Sequence, residues 1–285
     1  MSLDRAPWPT LERDRAPRSA VRADVPSFGA RAAVAKDHIY WFGTRGLIFT
    51  SPCVLTASTA RQPAVLLLTA SRRAVEVSVR GWASRHRAFA IAPLTQRGLD
   101  AVDVGLVSVN IQPHHPCYPA FCRIGPPGVR ALPRDAFARF DTDLVRAYEG
   151  RISSRAAEVL FEDLVAAATD LLAVGAQRDE RFEVLHAMLQ HHPDCSLEEV
   201  ARLLGVSYTA ASHLFARAVG IPLRTYQHWI KCMRATDYFN GEKTLTEIAQ
   251  LAGFSDSAHL SRAWQRRYGL TPSYLRDGRR VRIHD

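Results

Sequence analysis

Two short runs of polar side chains near the carboxyl-terminal end of the chain carry the residue types that read the edges of DNA bases. Each run leaves small polar, histidine and arginine side chains on the outer face of a predicted helix: Thr209, Ser212, His213 and Arg217 in the first, and Ser257, Ala258, Ser261, Arg262 and Gln265 in the second. Arginine can bond guanine through two hydrogen bonds, and hydroxyl or small apolar groups can contact other base edges or thymine methyl groups. The two runs therefore predict a pair of helices that enter the grooves of DNA.

The same capped segment precedes both runs and must position them. Ser196 with Glu199, and Thr244 with Glu247, form the Ser/Thr-x-x-Glu capping box that begins a helix. Gly205 and Gly253, 48 residues apart, follow the last apolar position of each helix, where a left-handed backbone suits glycine. We expect Ser207 and Ser255 to cap the second helices. A capped helix, a glycine turn and a second helix form the helix-turn-helix shape that fits a major groove.

The segment between the two units predicts a long helix from Leu223 to Phe239. Tyr226, Trp229 and Ile230 recur in it at helical spacing. A rigid joint would matter because major-groove faces on one side of a duplex recur about every 34 Å. We interpret Trp229 and Trp264 as core residues and not as platforms for stacked bases.

Residues 178 to about 278 resemble the AraC/XylS family of bacterial transcription regulators. The resemblance lies in LTEIAQLAGFS at residues 245–255 and HLSRAWQRRYGLTPSYLR at residues 259–276, together with the first unit. It implies a seven-helix domain whose two recognition helices both enter the major groove. In the first unit His213 and Ala216 stand where Arg, Lys or Gln is commoner in the family, so we expect base readout to depend more on the second unit.

The resemblance also assigns roles to individual positions. The base contacts that it implies are Thr209, Ser212, His213, Ser257, Ala258, His259, Ser261 and Arg262. Phosphate contacts set the register on DNA without reading sequence. We assign that role to Ser196, Ser207, Arg217, Thr244, Ser255, Arg266 and Arg267, and a phosphate or scaffold role to Arg276.

The amino-terminal half has a different pattern, with short β-favouring runs at residues 46–50, 64–68, 75–79, 88–91 and 104–109. Turn residues separate them, which predicts a small antiparallel barrel or sandwich. In the family this part is often a cupin-like barrel that binds an effector and helps to dimerise. Six aromatic residues could line a pocket, although ordinary core packing is favoured: Trp41, Phe42, Phe49, Trp82, Phe89 and Tyr118.

These patterns predict an α+β chain in three parts. Residues 1–25 are predicted to be a disordered leader, residues 26–175 a sensor and dimerisation domain, and residues 176–285 the DNA-binding domain. A short linker is expected at residues 173–177. The apolar stripe from Ser153 to Leu172, which includes Val159 and Leu160, predicts a helix. That helix could be a dimer seam or could pack on the barrel.

Composition agrees with this organisation. The net charge is +9, but residues 177–285 contribute only +3 of it, so the placement of the arginines matters more than bulk charge. An odd cysteine count without a Cys-x-x-Cys pair, no apolar leader and no apolar stretch long enough to cross a bilayer predict a cytoplasmic protein. His114-His115-Pro-Cys117 and His191-His192-Pro-Asp-Cys195 lack a structural zinc spacing, so no metal or cofactor is predicted.

The sequence thus predicts a bacterial DNA-binding transcription regulator, an effector-responsive activator and not an enzyme, because no catalytic constellation is present. Its expected partners are promoter DNA, RNA polymerase and a small-molecule effector, with a homodimer possible and no membrane contact. Two alternatives stay open. One is a cupin-like metal enzyme or sensor fused to a DNA anchor, and the other is an architectural DNA binder without an effector.

Overall fold

The computed structural model describes residues 38–43, 45–172, 181–192, 194–239, 241–268, 271–275 and 281–284. The predicted leader, the predicted linker at residues 173–177 and Arg276 lie outside these residues. The strands are β1 (His38–Gly43), β2 (Gly46–Thr59), β3 (Ala64–Thr69), β4 (Val75–Val79), β5 (Trp82–His86), β6 (Ala88–Ile91), β7 (Arg97–Ile111), β8 (Val129–Ala131) and β9 (Val281–His284).

One sheet contains all nine strands of the described residues and forms a nearly closed barrel, antiparallel except for the pair β1–β9. Its order is β8-β6-β3-β7-β2-β1-β9, and β4 pairs with both β5 and β7. The long strand β7 pairs with β2 along most of its length, with β3 at its carboxyl-terminal end and with β4 near its start. The predicted β-rich front domain is confirmed, and the sequence runs correspond to β2, β3, β4, β6 and β7.

Side chains alternate between two apolar layers on this sheet. Val65 and Leu67 of β3 join the barrel interior, whereas Leu66 and Leu68 join a second cluster on the outer face, beneath the helices. All six residues of β3 are buried, because both faces of this strand are covered. This explains why β3 has a continuous apolar run and β4 an alternating one.

Three helices and a short 3₁₀ segment follow the barrel: α1 (Tyr118–Cys122), the 3₁₀ segment Arg134–Phe140, α2 (Asp141–Tyr148) and α3 (Ser154–Leu171). Helix α3 packs against β1, β2 and β7 through Leu160, Phe161 and Leu164, so within this chain the predicted stripe covers the barrel. The inclusion of Val159 in that stripe was wrong. Val159 is 54% exposed, because 3.6 residues per turn place it opposite the buried face.

The helices of the carboxyl-terminal half are α4 (Arg181–His191), α5 (Leu197–Leu204), α6 (Tyr208–Val219), α7 (Leu223–Thr236), α8 (Leu245–Leu251), α9 (Ser257–Tyr268) and α10 (Pro272–Leu275). Within the described residues these are the seven predicted helices, although α7 ends at Thr236, three residues before the predicted end. Strand β9 then runs parallel to β1, with His38 opposite Val281 and Trp41 opposite His284. The end of the chain therefore returns to the edge of the front sheet. Among the described residues, no helix is long and apolar enough to cross a membrane.

Candidate nucleic-acid interface

The first helix-turn-helix unit begins with the predicted capping box. Ser196 Oγ accepts a hydrogen bond from the Glu199 backbone N–H at 3.2 Å, and Glu199 Oε2 accepts one from the Ser196 N–H at 2.6 Å. The Ser196 N–H lowers the pKa of the Glu199 carboxyl below its ordinary value. Gly205 ends α5 in the left-handed conformation, and Ser207 Oγ accepts from the Ala210 N–H to begin α6. The predicted capping box, the glycine at the end of α5 and the Ser207 cap of α6 are all confirmed.

Helix α6 divides into a buried and an exposed face. Phe215, Ala218 and Ala211 are buried, and Leu214 is half-buried where we expected it to be buried. The predicted contact residues of this helix are all exposed: Thr209, Ser212, His213 and Arg217. Sequence reasoning missed Tyr208, which is 55% exposed at the first position of α6. Its signal was an aromatic residue directly after a cap, where recognition helices contact base edges.

The second unit repeats the first capping box closely. Thr244 Oγ1 accepts from the Glu247 N–H at 3.3 Å, and Glu247 Oε2 accepts from the Thr244 N–H at 2.7 Å. The Thr244 N–H lowers the pKa of the Glu247 carboxyl for the same reason as in the first unit. Gly253 follows α8 with φ of +81°, as its position predicts.

The cap of the second recognition helix differs from the prediction. Asp256, and not Ser255, caps α9: Asp256 Oδ1 accepts from the His259 N–H at 2.6 Å, and the Asp256 carbonyl accepts from the Leu260 N–H. The helix thus starts one residue later, where a carboxylate is the stronger acceptor for free N–H groups. This hydrogen bond from His259 lowers the pKa of Asp256. The Ser255 hydroxyl supports the cap by donating to Asp256 Oδ2 at 2.9 Å.

Helix α9 also presents an exposed face. Ala258, Arg262 and Gln265 are exposed, and Ser257 and Ser261 are half-buried beside them. Leu260 and Trp264 are buried on the opposite side, as predicted. The positive charge of Arg262 acts on Asp256 and contributes to lowering the pKa of that carboxyl. The side chains of Arg266, Arg267 and Tyr268 lie outside the described residues.

His259 occupies a different position from the other predicted contact residues. Its half-buried ring packs edge-on against Phe254 at 5.2 Å and against His228 of α7 at 5.4 Å, measured between ring centroids. Its Nδ1 lies 3.1 Å from Ser255 Oγ. The ring therefore joins the start of α9 to the helix that links the two units.

The linking helix α7 is rigidly held, as its role requires. Trp229 and Trp264 are both core residues, with 1% and 0% exposure, which confirms their interpretation. Lys231 Nζ lies 2.8 Å from Asp194 Oδ1, and Gln227 Nε2 donates to the Cys195 carbonyl at 2.7 Å. These contacts fix α7 against the turn that precedes α5.

Nothing in the described part of the chain groups three or more His, Cys, Asp or Glu side chains closely enough to hold a metal ion. Of the six aromatic residues considered for a pocket, four are core residues: Trp41, Phe49, Phe89 and Tyr118. The exposed faces of α6 and α9 carry hydroxyl, imidazole, amide and guanidinium groups, which can form hydrogen bonds and supply positive charge.

Comparison with known proteins identifies this domain. A family model described as a helix-turn-helix domain matches residues 200–278. The HTH-type transcriptional activator RhaS of Klebsiella pneumoniae (strain 342) is 27% identical over 127 residues, which cover 43% of this chain and 46% of RhaS. The virulence regulon transcriptional activator VirF of Yersinia enterocolitica is 32% identical over 81 residues, covering 28% of this chain and 30% of VirF. The chain thus spans less than half of the length of these curated relatives.

Solved structures resemble a larger part of the chain. An apo variant of ToxT from Vibrio cholerae strain SCE256 has a TM-score of 0.52 at 9% identity, and covers 82% of this chain and 97% of its own. Wild-type ToxT of the same strain, with a bound unsaturated fatty acid, has a TM-score of 0.50, also at 9% identity, and covers 82% and 95%. At this identity the likeness shows the fold alone, a β-rich domain followed by a helical one.

Proposed function

We propose that this chain, whose carboxyl-terminal part is an AraC-type helix-turn-helix domain, is a sequence-specific DNA-binding transcription regulator. One observation carries the proposal. Helices α6 and α9 both begin at a capped turn, and both present exposed polar or basic faces beside a buried apolar face. A helix with these properties can lie in a major groove without losing its core contacts.

Within this function the contact residues divide by chemistry. Base contacts come from Ser257, Ala258, Ser261 and Arg262 of α9, and from Thr209, Ser212 and His213 of α6. The ring of His259 packs against Phe254 and His228, which limits its contact with a base. We therefore assign His259 mainly to orienting α9. Phosphate contacts come from Arg217 and from the caps that start each helix, where free N–H groups attract anions.

The remaining expectations follow from the relatives. RhaS and VirF are named as transcriptional activators, which supports activation, and we extend the proposal to contact with RNA polymerase in a bacterial cytoplasm. ToxT is described with a bound unsaturated fatty acid, which supports a small-molecule effector, and we assign that effector to the β-rich front domain. The chain would act by binding and not by catalysis.

Selection of bound sequences from a randomised duplex library tests the function. The full chain should enrich one asymmetric site with two conserved segments, and bind it roughly 10³–10⁷ times more tightly than random DNA. A much smaller ratio would instead favour an architectural DNA binder.

The variant Arg262→Ala tests base readout on the selected site. It should weaken specific binding by about 1–3 kcal/mol and relax the preference at one base pair. Arg73→Ala, in the exposed turn before β4, is the matched control and should change neither. An equal loss on selected and random DNA would contradict base readout by Arg262.

A further inference from the structure

A cleft of about 280 Å³ lies between the β1–β2 turn and α3, on the front domain and away from both recognition helices. Its lining includes Trp41, Arg45, Arg155, Glu158, Phe161 and Glu162. This volume is at the small end of the range for ligand pockets, which suits a compact molecule. The helix lies close to the turn because Gly46 has no side chain: a Cβ there would collide with the Phe161 ring.

The charges in the cleft are balanced and lie over an apolar floor. Arg155, Glu158 and Glu162 share one face of α3, since they are three and four residues apart. Arg45 faces them from the turn, with Nη1 at 4.0 Å from Glu162 Oε1. The buried rings of Trp41 and Phe161 lie beneath. Two carboxylates and two guanidiniums in one small cleft complement a ligand that carries both charges.

A buried histidine holds Glu162 in place. His115 is only 3% exposed, and its Nδ1 accepts a hydrogen bond from the Cys117 N–H at 3.0 Å. The proton of the neutral ring is therefore on Nε2, which donates to Glu162 Oε2 at 3.1 Å. Burial lowers the pKa of His115, although Glu162 opposes this effect. The sequence suggested no role for the His114-His115-Cys117 run. In the structure this run lies behind Glu162 and fixes its position in the cleft.

The same run contacts the DNA-binding domain. Gln112 Oε1 accepts a buried hydrogen bond from Trp229 Nε1 at 2.7 Å, and the His114 ring stacks on Trp229 at 4.7 Å. Further along, Cys122 of α1 fills the space beside Gly220, where α6 ends. Residues 112–122, which we call the relay segment, therefore contact Glu162 on one side and the first helix-turn-helix unit on the other.

We propose that this cleft binds a small zwitterion with one amino and one carboxylate group, a free amino acid being the simplest case. The carboxylates of Glu158 and Glu162 receive the ammonium group, and Arg45 with Arg155 receives the carboxylate. Binding in the cleft then shifts the relay segment, and this shift changes the position of the first helix-turn-helix unit. This coupling rests on the proposed DNA-binding function, whereas the binding step does not.

Titration calorimetry on the full chain with each standard amino acid tests the binding step. At least one should bind, and its decarboxylated amine and its deaminated acid should each bind at least tenfold more weakly. Glu162→Gln, which keeps an acceptor for His115, should abolish binding. Asp170→Asn, an exposed change on the same helix, should not. Absence of binding by every amino acid, or binding that Glu162→Gln leaves unchanged, would overturn the proposal.

DNA affinity measured with and without the bound amino acid tests the coupling. The amino acid should change the affinity of the wild-type chain several-fold. Cys122→Ala, which loosens the contact with Gly220 at the end of α6 and lies outside the cleft lining, should lose that change while calorimetry still detects binding. If the amino acid binds but leaves the DNA affinity of the wild-type chain unaltered, the relay is refuted and the site stands. If the chain shows no specific DNA binding, the proposed function fails, and calorimetry still decides the site.

Discussion

The two helix-turn-helix units have nearly the same local sequence but are held by different parts of the molecule. The first shares one apolar cluster with the outer face of the sheet and α3, and α6 ends against Cys122 of α1. The second belongs to the cluster that contains the barrel interior, and α9 is oriented by Asp256 and the His228–Phe254–His259 rings. Both units therefore share an apolar cluster with the front sheet, but α6 also ends directly against α1 of the front domain, whereas the start of α9 is fixed by its own cap and ring contacts.

The two recognition helices also differ in the side chains that they expose. Helix α9 carries Arg262, an exposed side chain that can bond guanine through two hydrogen bonds, on a helix start fixed by local contacts. Helix α6 carries hydroxyls, His213, the exposed Tyr208 and the exposed Arg217, to which we assign a phosphate contact, and it ends at the domain contact. We infer that α9 supplies most of the sequence preference and that α6 adjusts affinity when the front domain moves.

The largest expected effect comes from the side chain that joins the linking helix α7 to the front domain. Trp229→Ala removes a buried indole and its hydrogen bond to Gln112, so the free energy of unfolding should fall by about 3–5 kcal/mol. Trp229→Phe keeps most of the packing and removes the indole N–H, so it should lose about 0.5–1.5 kcal/mol, the net contribution of a typical hydrogen bond. Urea denaturation followed by circular dichroism measures both. A Trp229→Phe chain as stable as the wild-type chain would show that the hydrogen bond to Gln112 contributes nothing.

A smaller loss of stability distinguishes the contact between α6 and α1 from backbone strain at a glycine. Gly220 and Gly253 each follow the end of a helix in the left-handed conformation, with φ of +85° and +81°, but only at Gly220 would a Cβ collide with Cys122. Gly253→Ala should lose about 1–2 kcal/mol from strain, and Gly220→Ala about 2–4 kcal/mol because overpacking adds to it. Thermal unfolding gives both values. If the combined variant Gly220→Ala/Cys122→Ala recovers no stability, the contact between α6 and α1 does not hold the first unit.

The smallest effect distinguishes the caps of the two recognition helices. Ser207→Ala should lose about 1 kcal/mol at any pH, because a hydroxyl caps α6. Asp256→Ala should destabilise α9 at neutral pH but not in acid. The pKa of Asp256 is lowered in the folded chain, so its stabilisation is present above the ordinary value of 3.8 and is lost as the pH falls through the lowered value. Hydrogen exchange in each helix between pH 3 and pH 7 would show this; a loss at Asp256→Ala that does not change with pH would argue against it.

Features set by a few neighbouring residues could be predicted from the sequence. The capping boxes, Gly205, Gly253 and the buried tryptophans have strong local signals, and the structure confirms them. The cap of α9 was misassigned because Ser255 and Asp256 are both good caps, and only the start of the helix decides between them. Tyr208 was missed because exposure depends on the whole domain.

Long-range contacts could not be predicted in the same way. The pairing of His115 with Glu162 joins residues 47 positions apart, and that of Gln112 with Trp229 joins residues 117 apart. The parallel pairing of β9 with β1 brings together the two ends of the described chain, and four residues of β9 alone carry little strand signal. These contacts depend on how elements distant in the sequence pack together, within the front domain for His115 and between the two halves for Trp229, and periodicity does not encode this packing.

We propose that α6 and α9 enter neighbouring grooves of one duplex, which protection of guanine N7 from methylation on the selected site would measure. Two protected segments about one helical turn apart are expected, and Arg262→Ala should remove one guanine from the segment read by α9 while leaving the other segment protected. A single protected segment, or protection lost evenly from both in the Arg262→Ala chain, would contradict it.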